Sequence, residues 1–278
     1  MQLSPRYGDD PVLRIETSLD DVGTPLIRQR RRFAELLATL DDGQWATATR
    51  CEGWSVQDVV AHLVSTNQFW ALSIRAGAAG DPTRFLATFD PVATPAQLVE
   101  SVRSQSKAET LERFLQSNDA LADIVSQLDD GSWTALAEAP PGHVSLRAVA
   151  LHALWDAWVH ERDVVIPLGI PPTEEPDEVL AGLQYVAALG PSFAAMTGSD
   201  RGGHLEVRAT DPDATFVVSA GPQVVVRDGS GPDDALVLAG SAVVLLEALS
   251  LRVPLDQPVP DADRWLVAGL AEVFDLAS

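Results

Sequence analysis

The chain is poor in cysteine and in positive charge, and both scarcities restrict its function. Cys51 is its one cysteine, which excludes an internal disulfide and any zinc site built from several thiolates. Lys and Arg total 19 against 40 Asp and Glu, giving a formal net charge of −21. Such a surface repels phosphate backbones and anionic lipid headgroups. We therefore expect no nucleic-acid partner and no membrane partner. Separately from the charge, we expect a small-molecule substrate and a monomer or homodimer.

Targeting and membrane signals are also scarce. The N-terminal sequence MQLSPRYGDD lacks the basic and then apolar arrangement of a signal peptide. The apolar stretch 235–251 is interrupted by Gly240 and Glu247, and it is too short for a spanning helix. The expected location is the cytoplasm. The 278 residues, 46% of them hydrophobic, suffice for a real core.

Apolar residues recur with helical periodicity through the first 198 residues. Ser55 with Asp58 resembles a capping box, and Ser145 is a plausible N-cap that follows a loop through Pro140, Pro141 and Gly142. The third helix is long enough to bend or break near residues 117–118. The predicted helices cover residues 19–40, 55–74, 96–128, 145–163 and 176–196. Their number and connections suit an antiparallel bundle of four or five helices.

After Met196 the periodicity changes from helical to alternating. We predict strands over residues 204–210, 214–219, 223–227 and 235–238, and helices over residues 242–251 and 263–274. The expected fold is therefore α+β, with a helical bundle over residues 1–198 and a small α/β domain over residues 199–278. The boundary is placed in the Gly-containing stretch 197–203.

Three of the five histidines lie on two predicted helices of the bundle. His152, Asp156 and His160 fall within about 80° of one another on one helix face. An Asp and a His four residues apart can bind one ion from a single helix. His62, at the edge of the buried stripe of its own helix, completes three N/O ligands and leaves a position open, as in catalytic zinc sites.

Simpler interpretations of these residues stay open. A lone histidine such as His62 on an apolar face is more often a hydrogen-bonded core residue than a ligand. Asp156 and His160 could form an ordinary i,i+4 pair. Trp155 and Trp158 indicate that their helix is largely buried, however, and a buried carboxylate needs a strong partner.

Two segments of the chain resemble a known family. RCEGWSVQDVVAHL, residues 50–63, is similar to the Cys-x-Gly-Trp loop and following helix of the mycothiol-dependent maleylpyruvate isomerases, which belong to the DinB-like metal-binding bundles. LWDAWVHERDV, residues 154–164, resembles the later helix of that family, where a carboxylate and a histidine four apart complete the site. The C-terminal tail is similar to the sterol-carrier-like domain that these proteins often append.

The resemblance implies a metal site at His62, Asp156 and His160, with zinc as the favoured divalent ion and mycothiol as the thiol cosubstrate. The family usually has Glu at the position of Asp156, which is one methylene shorter, so His152 is a candidate substitute or additional ligand. The implied activity is attack of a metal-activated thiol on an electrophilic small molecule. Thiol S-transfer and cis–trans isomerisation share that chemistry, and the departure at Asp156 favours transfer.

Two other classes of function stay open. One is a metal-hydroxide enzyme without a thiol cofactor, and the other is a non-catalytic ligand-binding or regulatory protein.

Among further candidate site residues, we interpret Cys51 as a packing residue because no histidine is adjacent in sequence. His143 is expected in a solvated loop and His204 at the start of a strand. The sequence does not rank the arginines that could bind a carboxylate: Arg75, Arg147, Arg201, Arg208 and Arg227.

Overall fold

The computed structural model describes residues 3–19, 21–198 and 200–274. Its helices are α1 (Gly23–Thr39), α2 (Asp42–Trp45), α3 (Val56–Ala78), α4 (Ala93–Val102), α5 (Lys107–Val125), α6 (Leu146–Val165), α7 (Pro176–Met196), α8 (Ala242–Leu249) and α9 (Trp265–Val273). Its strands are β1 (Leu13–Glu16), β2 (Leu136–Ala139), β3 (Gly142–Ser145), β4 (Gly203–Thr210), β5 (Ala214–Ala220), β6 (Val224–Asp228) and β7 (Leu236–Ser241). Two 3-10 turns lie at Phe85–Thr88 and Ser132–Thr134. The predicted α+β fold is confirmed.

Four helices form the bundle that carries the candidate site. Each of α1, α3, α5 and α6 packs against two of the others, so that α3 lies between α5 and α6, and α1 lies opposite α3. Buried apolar side chains fill the space between them, among them Phe33, Leu63 and Phe114. The N-caps at Ser55 and Ser145 are confirmed, because each side chain accepts a hydrogen bond from a backbone N–H in the first turn. These caps fix where α3 and α6 begin.

A five-stranded mixed sheet packs behind the bundle. Its strand order is β1-β6-β5-β4-β7. The β1–β6 and β4–β7 pairs are parallel, and the two central pairs are antiparallel. Helix α7 contacts α6 on one side and strands β1, β5 and β6 on the other, and α8 and α9 pack beside it. Helix α7 therefore joins the bundle to the sheet.

By length and composition alone, α7 could cross a membrane. Within its most apolar window, 89% of the residues are buried inside the protein. Its N-terminal turn also carries Glu178, which is fully buried and bound to arginines of α1. These features are those of a core helix.

Three short strands lie before residue 190, where the sequence analysis expected helices and loops. Strand β1 pairs with β6, about 210 positions later in the chain. The segment predicted as a loop through Pro140 and Gly142 is the turn and first residue of the β2–β3 hairpin. Gly142 adopts φ +122°, and a Cβ there would overlap the backbone of Arg6. The expectation of no strand in this region is wrong. These strands are too short to show alternating apolar and polar residues in the sequence, and segments elsewhere in the chain stabilise them by pairing.

The predicted break of the third helix near Ser117 and Asn118 is also wrong. Both residues lie inside α5, where they are buried and bind the amide of Asn67. The chain is interrupted earlier, between α4 and α5, where Ser106 caps α5 in a capping box with Glu109. The division of the chain after residue 198 stays a prediction, since the adjoining Ser199 lies outside the described residues.

Candidate metal centre

The three residues proposed as metal ligands meet between two neighbouring helices of the bundle. His62 lies on α3, and Asp156 and His160 lie one turn apart on α6. Asp156 Oδ1 is 3.9 Å from His62 Nε2 and 3.6 Å from His160 Nε2. One ligand atom from each residue lies within 4.8 Å of the other two. The structure therefore brings two nitrogens and one carboxylate oxygen to a common point.

These distances fit a bound ion. Ligand atoms about 2.0–2.2 Å from a tetrahedral ion lie roughly 3.4 Å from one another. The separations of 3.6 and 3.9 Å exceed that value by a few tenths of an ångström. The second oxygen of Asp156 is buried and has no hydrogen-bond partner among the described residues. An ion beside this carboxylate would offset the cost of burying its charge.

The protonation states of two of the residues suit a cation. Burial lowers the pKa of His62, although the neighbouring Asp156 carboxylate opposes this effect. For Asp156, burial alone would raise the pKa, but the interaction with His62 and the charge of His160 outweigh burial and hold the pKa below its ordinary range. Near neutral pH, His62 is then a neutral nitrogen donor and Asp156 an anionic oxygen donor, as metal binding requires.

His160 differs from His62 because a carboxylate binds its second nitrogen. Burial lowers its pKa, but the hydrogen bond to Asp163 and the contact with Cys51 outweigh burial and raise the pKa to about 10. The Nδ1–Oδ2 distance to Asp163 is 3.0 Å. A cation at the opposite nitrogen, Nε2, would therefore displace a proton from His160.

Asp163 is held by two arginines that the sequence analysis did not select. Both oxygens of its fully buried carboxylate accept hydrogen bonds from Arg252 at 2.8 Å, and Arg50 Nε donates to Oδ1 at 3.0 Å. Arg50 directly precedes Cys51 in the loop before α3, so its place in a motif was visible in the sequence. Arg252 lies after α8, and no local pattern links it to α6.

Cys51 lies closer to this group than the sequence analysis expected. Its Sγ is 3.6 Å from His160 Nδ1 and 3.2 Å from Asp163 Oδ2. Cys51, His160 and Asp163 thus form a second set of potential metal donors. Both carboxylate oxygens of Asp163 are already bound by arginine, which makes this set a poorer cation site than His62, Asp156 and His160.

His152, the reserve ligand of the sequence analysis, belongs to neither donor set. The hydroxyl of Tyr185 forms a short contact with its Nδ1, and the indole rings of Trp70 and Trp155 pack against it at 4.3 and 5.3 Å between centroids. Burial lowers its pKa to about 4, although the charge of Asp156 opposes burial. His152 is therefore a neutral core residue one turn before Asp156.

The other two histidines lie apart from the centre. His143, expected in a solvated loop, is buried on β3, and its ring nitrogens lie 3.0 and 3.1 Å from the carbonyl oxygens of Gly8 and Thr83. His204 is on β4, as expected, and contacts Ser219. Of the five candidate arginines, Arg208 and Arg227 form ion pairs away from the centre, with Glu206 and Glu16.

A surface groove lies next to the centre. It has a volume of about 1000 Å³ and is bounded by the N-terminal ends of α2, α3 and α5. Trp54 lines this groove and also packs against His62, with 5.2 Å between ring centroids. The three proposed ligands are not part of its lining. Trp54 therefore connects the groove to the centre.

Comparisons with known proteins agree with this arrangement of helices. The sequence profile of the mycothiol maleylpyruvate isomerase N-terminal domain matches residues 26–165. A crystal structure of the mycothiol-dependent maleylpyruvate isomerase has a TM-score of 0.58 at 15% identity, covering 87% of this chain and 95% of that one. A histidine-to-alanine mutant of that isomerase gives 0.58 at 14% identity, with the same coverage.

A third solved structure is more distant. YfiT from Bacillus subtilis, described as a probable metal-dependent hydrolase with an unusual four-helix bundle topology, has a TM-score of 0.40 at 14% identity, covering 55% of this chain and 89% of that one. Comparison with the curated proteins gives no sequence match. The two isomerase structures, at 14–15% identity, establish the fold and leave the chemistry to be argued from the site.

Proposed function

This chain belongs to the family of the mycothiol maleylpyruvate isomerase N-terminal domain, and from that premise we propose that it is a metal- and thiol-dependent enzyme. His62, Asp156 and His160 hold one divalent ion, and mycothiol is the thiol cosubstrate. The observation that carries the proposal is the meeting of two imidazole nitrogens and a partly buried carboxylate, one oxygen of which has no hydrogen-bond partner in the described part of the chain. Zinc is the favoured ion because the donors are nitrogen and oxygen.

A divalent ion in this site would supply a Lewis acid that lowers the pKa of a thiol into the neutral range. The chain itself contributes the position and charge of the donors. Asp156 supplies the one negative charge among the three, and the remaining coordination position is left for the cosubstrate. The rings of Trp54 and His160 pack against His62 and restrict its rotation.

The sulfur of the thiol would add to an electrophilic carbon of a substrate double bond, whose π electron pair would move onto the adjoining electron-withdrawing group. Rotation of the adduct and loss of the same sulfur give cis–trans isomerisation, with no net consumption of thiol. Release of the adduct gives thiol S-transfer. Product analysis distinguishes the two, because only S-transfer consumes the thiol stoichiometrically.

Metal content tests the ligand set. We expect the purified protein to bind about one divalent ion, and His62→Ala and His160→Ala each to lose most of it. His204→Ala is the matched control, since it removes a histidine of β4 that lies outside both donor sets. Equal metal retention in all three variants, measured by elemental mass spectrometry, would rule out the proposed ligands.

Calorimetry with mycothiol tests the thiol. We expect the zinc-loaded protein to bind mycothiol with release of about one proton, measured in two buffers of different ionisation enthalpy. The metal-free protein should bind it far more weakly. If the zinc-loaded protein does not bind mycothiol, or if the metal-free protein binds it equally well, both isomerisation and S-transfer through a metal-activated thiol are excluded.

A further inference from the structure

We propose that Asp163 is a positioning residue for His160, and that Arg252 from the C-terminal part of the chain is required to keep Asp163 in place. Neither residue belongs to the donor set His62, Asp156 and His160. The inference rests on the metal site proposed above and extends it to residues that do not contact the ion.

The first step of the argument is the position of Asp163 on α6. It follows His160 by three residues, which places both side chains on one face of the helix. Asp163 Oδ2 is 3.0 Å from His160 Nδ1, and the opposite nitrogen, Nε2, faces Asp156 at 3.6 Å. A carboxylate at one ring nitrogen fixes the imidazole plane and directs the other nitrogen toward an ion.

The second step is the immobilisation of the Asp163 carboxylate. Arg252 binds both of its oxygens at 2.8 Å in a bidentate pair, and Arg50 binds one of them at 3.0 Å. The backbone N–H of Arg50 also donates to the carbonyl oxygen of Asp163 at 3.1 Å. Since the carboxylate is fully buried, any rotation would break hydrogen bonds that water does not replace.

The third step is the origin of Arg252. It lies 89 positions after Asp163, just beyond α8. Glu247 on α8 also links the C-terminal region to the bundle, because it accepts hydrogen bonds from Arg50 and Arg162 at 2.9 Å each. The orientation of a ligand on α6 thus depends on a residue of the C-terminal region. Removing the hydrogen bonds of Arg252 to Asp163 should therefore weaken metal binding, although Arg252 is not a ligand.

The experiment compares metal affinity in four full-length proteins, by competition with a chromophoric chelator. The wild type is compared with Asp163→Asn, Arg252→Gln and the control Glu161→Gln. Glu161 is a matched control because it is also a buried acid of α6 paired with an arginine, Arg32. Visible spectra of the cobalt-substituted proteins report ligand geometry directly, and thermal denaturation verifies that each variant is folded.

We expect Asp163→Asn to weaken metal affinity about 10- to 100-fold, the usual effect of losing such a partner of a ligating histidine. Arg252→Gln should give a smaller loss with the same direction of change in the cobalt spectrum, and Glu161→Gln should bind like the wild type. If Asp163→Asn does not fold, Arg252→Gln against Glu161→Gln decides the matter, because Arg252 is partly exposed.

Two results would overturn the inference alone. One is a wild type that binds the ion while either folded variant, Asp163→Asn or Arg252→Gln, binds it with unchanged affinity and an unchanged cobalt spectrum. The other is an equal loss in Glu161→Gln, which would indicate a general effect of removing a buried acid. A wild type that binds no divalent ion refutes both the inference and the proposed function. Failure of mycothiol binding refutes the thiol chemistry and leaves the role of Asp163 intact.

Discussion

Replacing His152 by glutamine should change how the stability of the protein depends on pH. His152 is buried on α6 and packs against the indole of Trp70. Burial lowers its pKa to about 4, although the charge of Asp156 opposes burial. An exposed histidine in the unfolded chain has a pKa of about 6.5. Between these values the unfolded chain binds a proton that the folded protein does not.

The sign and size of the effect follow from this difference. Above about pH 6.5 both states carry a neutral imidazole, and His152 adds no pH dependence. As the pH falls from 6.5 toward 4, protonation stabilises the unfolded state and the free energy of unfolding decreases. At pH 5 the loss is about 2 kcal/mol. Glutamine does not titrate, and its side-chain oxygen can accept a hydrogen bond from the Tyr185 hydroxyl.

The assay is urea unfolding of the chelator-treated protein between pH 7.5 and 5, followed by tryptophan fluorescence. The lower limit matters, because a chain with 40 acidic and 19 basic residues approaches zero net charge in more acidic solution. His152→Gln should lose about 2 kcal/mol less stability than the wild type over this range. Tyr185→Phe is the control, since it removes the hydroxyl partner but keeps the buried imidazole.

A stability difference between the wild type and His152→Gln that does not change with pH would refute the argument. It would mean that His152 keeps its proton in the folded protein or is reached by water. A pH-dependent difference of the same size in Tyr185→Phe would assign the effect to the whole cluster instead of His152.

Packing and charge burial give two further expectations. Gly77→Ala should destabilise the protein by about 1–3 kcal/mol, because the added Cβ would lie 2.5 Å from the carbonyl oxygen of Leu136. In thermal denaturation this variant should be less stable than the control Gly131→Ala, whose added Cβ has room. Glu178→Ala should cost about 1–3 kcal/mol in urea unfolding, because it removes a fully buried carboxylate that binds Arg28 and Arg32. Both arginines are partly exposed and keep a second acid, Asp177 or Glu161. Glu100→Ala breaks an exposed pair and should cost under about 1 kcal/mol. Equal effects within either pair would contradict these arguments.

Local signals predicted those parts of the fold that local physics determines. The helix over residues 176–196 begins at a proline and has the bounds that the sequence predicts, and the caps at Ser55 and Ser145 are where serine precedes an apolar periodic run. Strands β5, β6 and β7 alternate between buried and more exposed positions over most of their length. In each case, the residues that determine the element lie within it or next to it.

Elements that depend on distant partners were not predictable in this way. Strand β1 has four residues and pairs with β6, more than 200 positions later in the chain. The interruption between α4 and α5 was misplaced because polar Ser117 and Asn118 looked like a break, whereas Asn67 of α3 satisfies both inside the bundle. A polar residue inside a helix is a weak break signal wherever a neighbouring helix offers it a hydrogen bond.

In the candidate site, too, local sequence predicts some features and the packing of distant segments determines the others. The four-residue spacing of Asp156 and His160 follows from helix geometry, and the pairing with His62 followed from two helices that both face the core. The approach of Cys51 to His160 and of Arg252 to Asp163 depends on how distant segments pack. The sequence contains these residues but no spacing that brings them together.

The charges around the centre bear on which ligand its open position would favour. Asp156 is the one anion among the three proposed metal ligands, and Arg252 compensates the charge of the nearby Asp163. Arg30 is buried in the bundle core, and burial lowers its pKa to about 10, although the charge of Asp156 opposes burial. A divalent ion in this setting would keep a net positive charge although the chain as a whole carries −21. An anionic sulfur or oxygen would therefore be bound in preference to a neutral one, because the net negative charge of the chain resides largely on exposed carboxylates that water screens.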